Sequence, residues 1–314
     1  MDAQGAGREA SGESEAASPL GPLTRIRLDV AYDGTAFSGW SRQPGLRTVQ
    51  GELETGLATI FRRHAPTPLL TVAGRTDAGV HASGQVAHLD LTAAQLASLE
   101  RPHRGGEDPR GPLGVAAIAR RLNGIQGLDA DVLVRSARIA PPGFDARFSA
   151  IWRRYEYRIA DRLAVQDPLR RNATLRIPAE LDLEAMRIAA ASLTGLHDFA
   201  SYCKPREGAT TIRTLQDFAW RRDAEGVLVA HLQADAFCHS MVRALVGASV
   251  AVGEGRLDPA ELVVLRDARE RSSAFKVVPA KGLVLTEVGY PDDAELADRA
   301  AQTRARREDP LRPV

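Results

Sequence analysis

Lysine is almost missing from this chain of 314 residues: Lys204, Lys276 and Lys281 are the only ones, against 38 arginines. Basic residues outnumber acidic ones by 41 to 40, a formal net charge of +1, and that balance excludes a histone-like polycation. Cysteine is nearly as scarce. Cys203 and Cys238 are too few for a disulfide framework and neither belongs to a CxxC pair, so the chain reads as intracellular and reduced, with no zinc ribbon or thiol redox motif. No window approaches the roughly 20 apolar residues needed to cross a bilayer. The first 23 residues lack the basic start and apolar run of a signal peptide. A cytoplasmic protein with no membrane partner is expected.

The abundant residue is arginine, whose planar fork suits carboxylate and phosphate, although GC-rich coding bias also fills a sequence with it. With 44% hydrophobic and 26% charged residues the chain is neither disordered nor collagenous, and its length allows one large core or two smaller ones. Residues 1–23 hold few large apolar side chains and read as a disordered tail, and Ala294–Val314 as a C-terminal tail, a frayed helix running into loose chain. Arg101–Pro112, rich in Pro and Gly, reads as a surface loop. Between the tails the body divides into an N-terminal half, 24–142, and a C-terminal half, 143–293.

Period two dominates Ile26–Tyr32, a strand with one buried face. Thr48 then caps a helix to about Arg63, with Val49, Leu53, Leu57, Ile60 and Phe61 on one stripe. Strands follow at Leu69–Ala73, Gln85–Leu91 and Asp131–Ile139, with a helix at Val115–Leu122. The second half repeats the vocabulary: strand Ile151–Ile159, helix Leu183–Leu193, an antiparallel pair Thr211–Trp220 and Val227–Ala234, a helix His239–Val252 and a closing strand Leu283–Val288. The fold class this predicts is α+β, a pseudo-duplicated, mixed but mainly antiparallel sheet with helices packed on one face.

Three runs carry chemistry. Gly74-Arg75-Thr76-Asp77-Ala78-Gly79-Val80-His81 puts two glycines around a charged pair, the composition of a tight loop that holds Asp77 forward as nucleophile or base and Arg75 toward a phosphate. Read alone, it also fits a β-turn in which Asp77 bonds its own backbone. A metal held by Asp77, His81 and His88 is disfavoured, because Gly79 and Val80 interrupt the helix that their spacing needs. The second run, Phe144–Ala150 leading to Trp152–Arg158, puts Tyr155 and Tyr157 on one strand face and Arg154, Glu156 and Arg158 on the other. That arrangement serves base stacking beside phosphates, or plain core. The third, Ala236–Arg243, opens an apolar helix one turn before Arg243. A buried guanidinium there needs a carboxylate partner, for which Asp77 is the candidate, while an exposed one simply snorkels.

In this order the runs resemble the tRNA pseudouridine synthase A family, the type that acts on the anticodon stem-loop. Tyr32-Asp33-Gly34, Phe37, Gly39-Trp40 and Thr48-Val49-Gln50 resemble its opening motif, and Gly74–His81 matches its catalytic motif at every position. Leu122-Asn123, Phe144–Ala150, Tyr155-x-Tyr157, Phe237–Arg243 and Gly282-Leu283 follow in the family's order, so that the likeness covers Ile26 to Pro291. Departures are Ser41 for a common glutamine, Asp145 for a common histidine and Ala244 for a common asparagine.

The resemblance implies the pseudouridine synthase fold and a cofactor-free, metal-free isomerisation of uridine to pseudouridine at tRNA positions 38, 39 and 40. Asp77 is then the essential aspartate, as nucleophile toward ribose C1′ or as the group that abstracts a ribose proton to give a glycal-like intermediate. Tyr155 packs on the target base, Arg243 holds the aspartate, Arg75 helps extrude the nucleotide, and Leu283 completes the substrate-binding set. A homodimer whose two subunits share one tRNA is also implied. Flipping the base costs a few kcal/mol that stacking offsets. Two other classes compete: an RRM-like module that binds RNA without chemistry, and an aspartate-nucleophile hydrolase that would release free uracil.

Overall fold

Leu23–Tyr32 forms β1 and keeps its period of two: Ile26, Leu28 and Val30 are fully buried, while Arg25, Arg27 and Asp29 lie on the half-exposed face. The computed structural model describes residues 21–100, 114–206 and 210–305. Helix α1 (Val49–Ile60) starts where expected, because the Thr48 hydroxyl accepts the Gly51 N–H at 3.2 Å. The short β2 (Thr71–Val72) and long β3 (His81–Thr92) bracket the Gly74–Val80 loop. Helix α2 (Ala93–Leu99) follows, closed by a capping box between Thr92 and Gln95. Next come α3 (Ala117–Gln126) and β4 (Val132–Ile139).

The second half is built from β5 (Trp152–Ala160), β6 (Leu175–Arg176), α4 (Leu183–Ala191), β7 (Gly195–Asp198), β8 (Ile212–Arg222) and β9 (Leu228–Ala234). Helices α5 (Met241–Gly253) and α6 (Glu261–Ala268), strand β10 (Leu283–Gly289) and helix α7 (Leu296–Arg304) complete it. All strands join one 10-stranded sheet in the order β4-β1-β3-β10-β5-β9-β8-β7, with β2 on β3 and β6 on β5. Pairing is antiparallel except between β10 and β3 and between β5 and β6. Helices α1 with α3 and α4 with α5 cover the apolar side, and one hydrophobic core runs through both halves. The fold is thus the expected α+β sheet.

The halves meet where β10 slots between β3 and β5. Val284 and Leu285 register with His81 and Ala82 on one side, and Leu283 registers with Tyr157 on the other. Gly84 permits that approach, since a Cβ there would stand 2.0 Å from the Thr286 carbonyl.

Two readings change, and a third gains detail. Helix α5 begins at Met241 rather than at His239, because Ser240 takes left-handed backbone angles (φ 63°) that stop the helix and leave His239 in the preceding loop. Cys203 and Cys238, expected as separate reduced thiols, form a disulfide with Cα atoms 5.8 Å apart: the sheet brings together residues 35 apart in sequence, which spacing rules cannot see. The start of the expected C-terminal tail contains α7, docked through buried Leu296 and Ala300, the Ser149 hydroxyl on the Leu296 carbonyl and an Arg304–Asp145 ion pair. The loop Arg101–Pro112, the first 20 residues and the end of the C-terminal tail lie outside the described residues.

Candidate active site

The Gly74–Val80 loop is held from beneath by the residues of the opening motif. Tyr32 Oη and Thr76 Oγ1 share a buried hydrogen bond of 2.8 Å, and the Gln85 amide donates both to Tyr32 Oη and to the Gly74 carbonyl. The Trp40 N–H donates to the Thr76 carbonyl, and the Gly79 N–H to the Phe37 carbonyl. Gly34 is needed for contact, because a Cβ there would meet the Val80 carbonyl oxygen at 2.0 Å. Burial pushes the Tyr32 phenol up to about 12, so it stays a neutral strut under the loop.

So supported, the loop presents Asp77 to the start of α5. Arg243 Nη1 lies 3.6 Å from Asp77 Oδ2, His239 Nε2 lies 3.6 Å from Oδ1, and the Ser240 hydroxyl donates to Oδ2 at 3.5 Å. The carboxylate is 34% exposed, so one edge remains open to a ligand. The predicted Asp77–Arg243 pair is therefore formed. Arg243 is aimed by a second bond, Nε to the Val278 carbonyl at 2.8 Å.

Tyr155 sits beside this cluster with its ring edge-on to Phe237, centroids 5.1 Å apart. Burial first, then the nearby Tyr32 and the Asp77 charge, drive its phenol well above the ordinary tyrosine value. It is therefore a neutral ring, largely buried beside the cluster. Arg75 is exposed and pairs with no carboxylate among the described residues. Leu283 is buried at the start of β10, beside Lys281, whose carbonyl lies 3.1 Å from His81 Nε2. Asp77, Arg243 and Tyr155 thus gather beside the β3–β10–β5 seam, with Leu283 buried at the start of β10.

The chain was compared with known proteins. Residues 189–291 match the family model described as tRNA pseudouridine synthase. A protein of Leifsonia xyli subsp. xyli named tRNA pseudouridine synthase A is 66% identical over 284 residues, covering 90% of this chain and 98% of its own. This chain belongs to the tRNA pseudouridine synthase family. Proteins of the same name from Frankia casuarinae (54% identical; 90% of this chain, 95% of theirs) and Mycobacterium leprae (48%; 89% and 94%) agree.

The other motif residues serve the scaffold. His81 is engaged at both ring nitrogens, Nδ1 accepting the Gly34 N–H at 3.0 Å, and His88 Nδ1 accepts the Ala146 N–H at 3.0 Å. Neither faces Asp77, and no group of three or more His, Cys, Asp or Glu among the described residues is placed to hold a metal. Asp145, the departure from a common histidine, accepts the Arg147 and Phe148 N–H groups and so fixes that turn.

Sequence reasoning gave no role to His239, Ser240 or Arg153. His239 lies within the Phe237–Arg243 run that follows the family's order, and that was a readable signal. Arg153 had none. Its buried guanidinium donates to the carbonyls of Asp235 (2.7 Å), Ala73 and Arg147 (both 2.9 Å), tying together the three site-bearing segments.

Proposed function

We propose that this chain isomerises uridine to pseudouridine in the anticodon stem-loop of tRNA, at positions 38, 39 and 40, with Asp77 as the reacting carboxylate. The observation that carries the reading is the Asp77 carboxylate itself: partly open, and flanked by one guanidinium, one imidazole and one hydroxyl. A carboxylate held in that way, with one edge free, has the geometry that attack on C1′, or removal of a ribose proton, requires.

The C1′–N1 bond breaks, the uracil turns, and a C1′–C5 bond forms; C5 gives up its proton and N1 gains one. The atoms balance within the nucleotide, so no electron carrier or co-substrate enters. Tyr155 supplies the ring against which the turning base packs, Arg243 holds Asp77, Arg75 reaches from the exposed rim toward the strand, and Leu283 closes the base pocket. The reading extends to a cytoplasmic homodimer whose two subunits share one tRNA, each with halves 24–142 and 143–293 between the tails 1–23 and 294–314.

The deciding experiment is tritium release from tRNA labelled with [5-³H]uridine, with wild type and Asp77→Asn compared. Release that needs Asp77, without free uracil, is the expected result. Free uracil would assign a hydrolase, and tRNA binding without release by either protein would assign a binding module.

A further inference from the structure

The Asp77 cluster has a neighbour that the reaction leaves unused. A cavity of about 190 Å³ lies between the 3-10 turn Ala200–Tyr202, the start of α5 and residues 271–277. Its floor is aromatic, made by the Tyr202 and Phe275 rings stacked 5.5 Å apart at 20°. The walls are another matter: Lys204 and Arg271 line them together with Ser240 and Ser272, and no acidic side chain does. Lys204 and Arg271 are exposed and pair with no carboxylate among the described residues. Two unpaired cations facing one concavity repel each other and favour an anion between them.

The polar wall is built to stay in place. The Lys204 N–H donates to the His239 carbonyl at 2.9 Å, and Cys203 is joined to Cys238, so the Lys204 segment is pinned to the loop that carries His239. Ser272 Oγ accepts the Ala274 N–H at 3.0 Å, which leaves its own proton to donate. Ser240 is the shared partition. It lines the cavity, yet its hydroxyl reaches Asp77 rather than capping α5, from a left-handed backbone that a serine adopts only at a cost.

We propose that this cavity holds a phosphodiester of the RNA strand, the one adjoining the nucleotide whose ribose meets Asp77. The assignment rests on the functional reading above. A nucleotide with C1′ at Asp77 carries its phosphates one ribose away, and the cavity begins one side chain from that carboxylate. Arg271 supplies the forked donor, Lys204 the point charge and Ser272 a neutral donor. Such a contact reads no sequence; it sets the register of the strand so that the flipped uridine reaches the carboxylate.

The test uses an RNA stem-loop with the target uridine and single methylphosphonate linkages placed in turn on either side of it. The double variant Lys204→Ala/Arg271→Ala should bind the unmodified RNA about tenfold more weakly. Its log–log salt dependence should be shallower by about 0.7, the increment for one neutralised phosphate of a single strand. One neutral linkage should weaken wild type equally and leave the double variant no worse. Lys204→Arg/Arg271→Lys, which keeps the charge, should retain the wild-type slope.

Wild-type affinity and slope in the alanine double variant overturn the proposal, as does equal sensitivity of both proteins to every linkage. Inorganic phosphate probes the other source of the same group. Saturable phosphate binding that the double variant loses, with RNA affinity unchanged, assigns the cavity to a free anion and also overturns it. Pseudouridine formation by wild type in the same preparation separates the two readings. If the linkage effect is present without product, the cavity assignment stands and the reaction assignment falls; if product forms without the linkage effect, the reverse holds.

Discussion

Two aspartate–arginine pairs in this protein have the same chemistry and opposite character. Asp161 has a fully buried side chain and accepts both Arg222 Nη1 and Nη2 at 2.8 Å, the Leu163 N–H at 3.1 Å and the Leu181 N–H at 3.3 Å. Those bonds outweigh burial and hold its carboxyl below the usual range. Asp77 meets its three partners only at 3.5–3.6 Å and keeps one third of its surface exposed. A carboxylate whose lone pairs are all used is a structural rivet, whereas one whose partners stand back can still take a substrate atom as a further partner.

The contrast is sharpest if the two residues are removed in turn. Asp77→Asn should lower the rate of pseudouridine formation by about a thousandfold or more, with thermal stability close to wild type. Asp161→Ala should do the reverse, costing about 3 kcal/mol in urea unfolding because Arg222 loses its partner, while the rate per folded molecule holds. The arginines should follow suit. Arg243→Lys cannot serve both the Val278 carbonyl and Asp77, so kcat should fall by roughly tenfold to a hundredfold; Arg222→Lys should cost about 1 kcal/mol of stability and leave kcat alone.

A histidine pair extends the comparison. Burial, with the Arg25 guanidinium nearby, holds the His88 imidazole down at about 4. Between about pH 6.5 and about 4 the unfolded chain binds a proton that the folded one refuses. Stability from this group is complete above pH 6.5 and falls by about 1.4 kcal/mol per pH unit on acidification. His88→Gln, which still offers an acceptor to the Ala146 N–H, should therefore lose about 2 kcal/mol less than wild type between pH 7 and pH 5. The smallest effect belongs to Ser240→Gly, which relieves the left-handed strain and removes one distant donor. Stability should rise by less than about 1 kcal/mol and kcat should fall less than tenfold.

Legibility followed the same division. The Asp77–Arg243 pair was readable because an arginine in an apolar helix demands a carboxylate, and the sequence holds one in a glycine-flanked loop. The strand face of Tyr155, Tyr157 and Ile159 was readable from alternation, and α1 from its Thr48 cap. Arg153 was not, since its partners are three backbone carbonyls and a carbonyl has no letter in the sequence. Neither was the Cys203–Cys238 bond, nor β7 with its four residues, nor α6, which lacks a side-chain cap. Helix α2 was missed although Thr92 and Gln95 spell a capping box. The backbone N–H groups that His81 and His88 accept are likewise announced by no motif.

The seam between the halves also sets a clock. The strand that flanks the Asp77 loop, β3, gains its parallel partner β10 only from residues about 200 positions later in the chain. At roughly 5–20 residues per second on the ribosome, roughly ten to forty seconds pass between emergence of the Asp77 loop and arrival of the strand that completes its frame. During that interval the nascent chain carries every residue of the Asp77 loop without the strand that completes its frame.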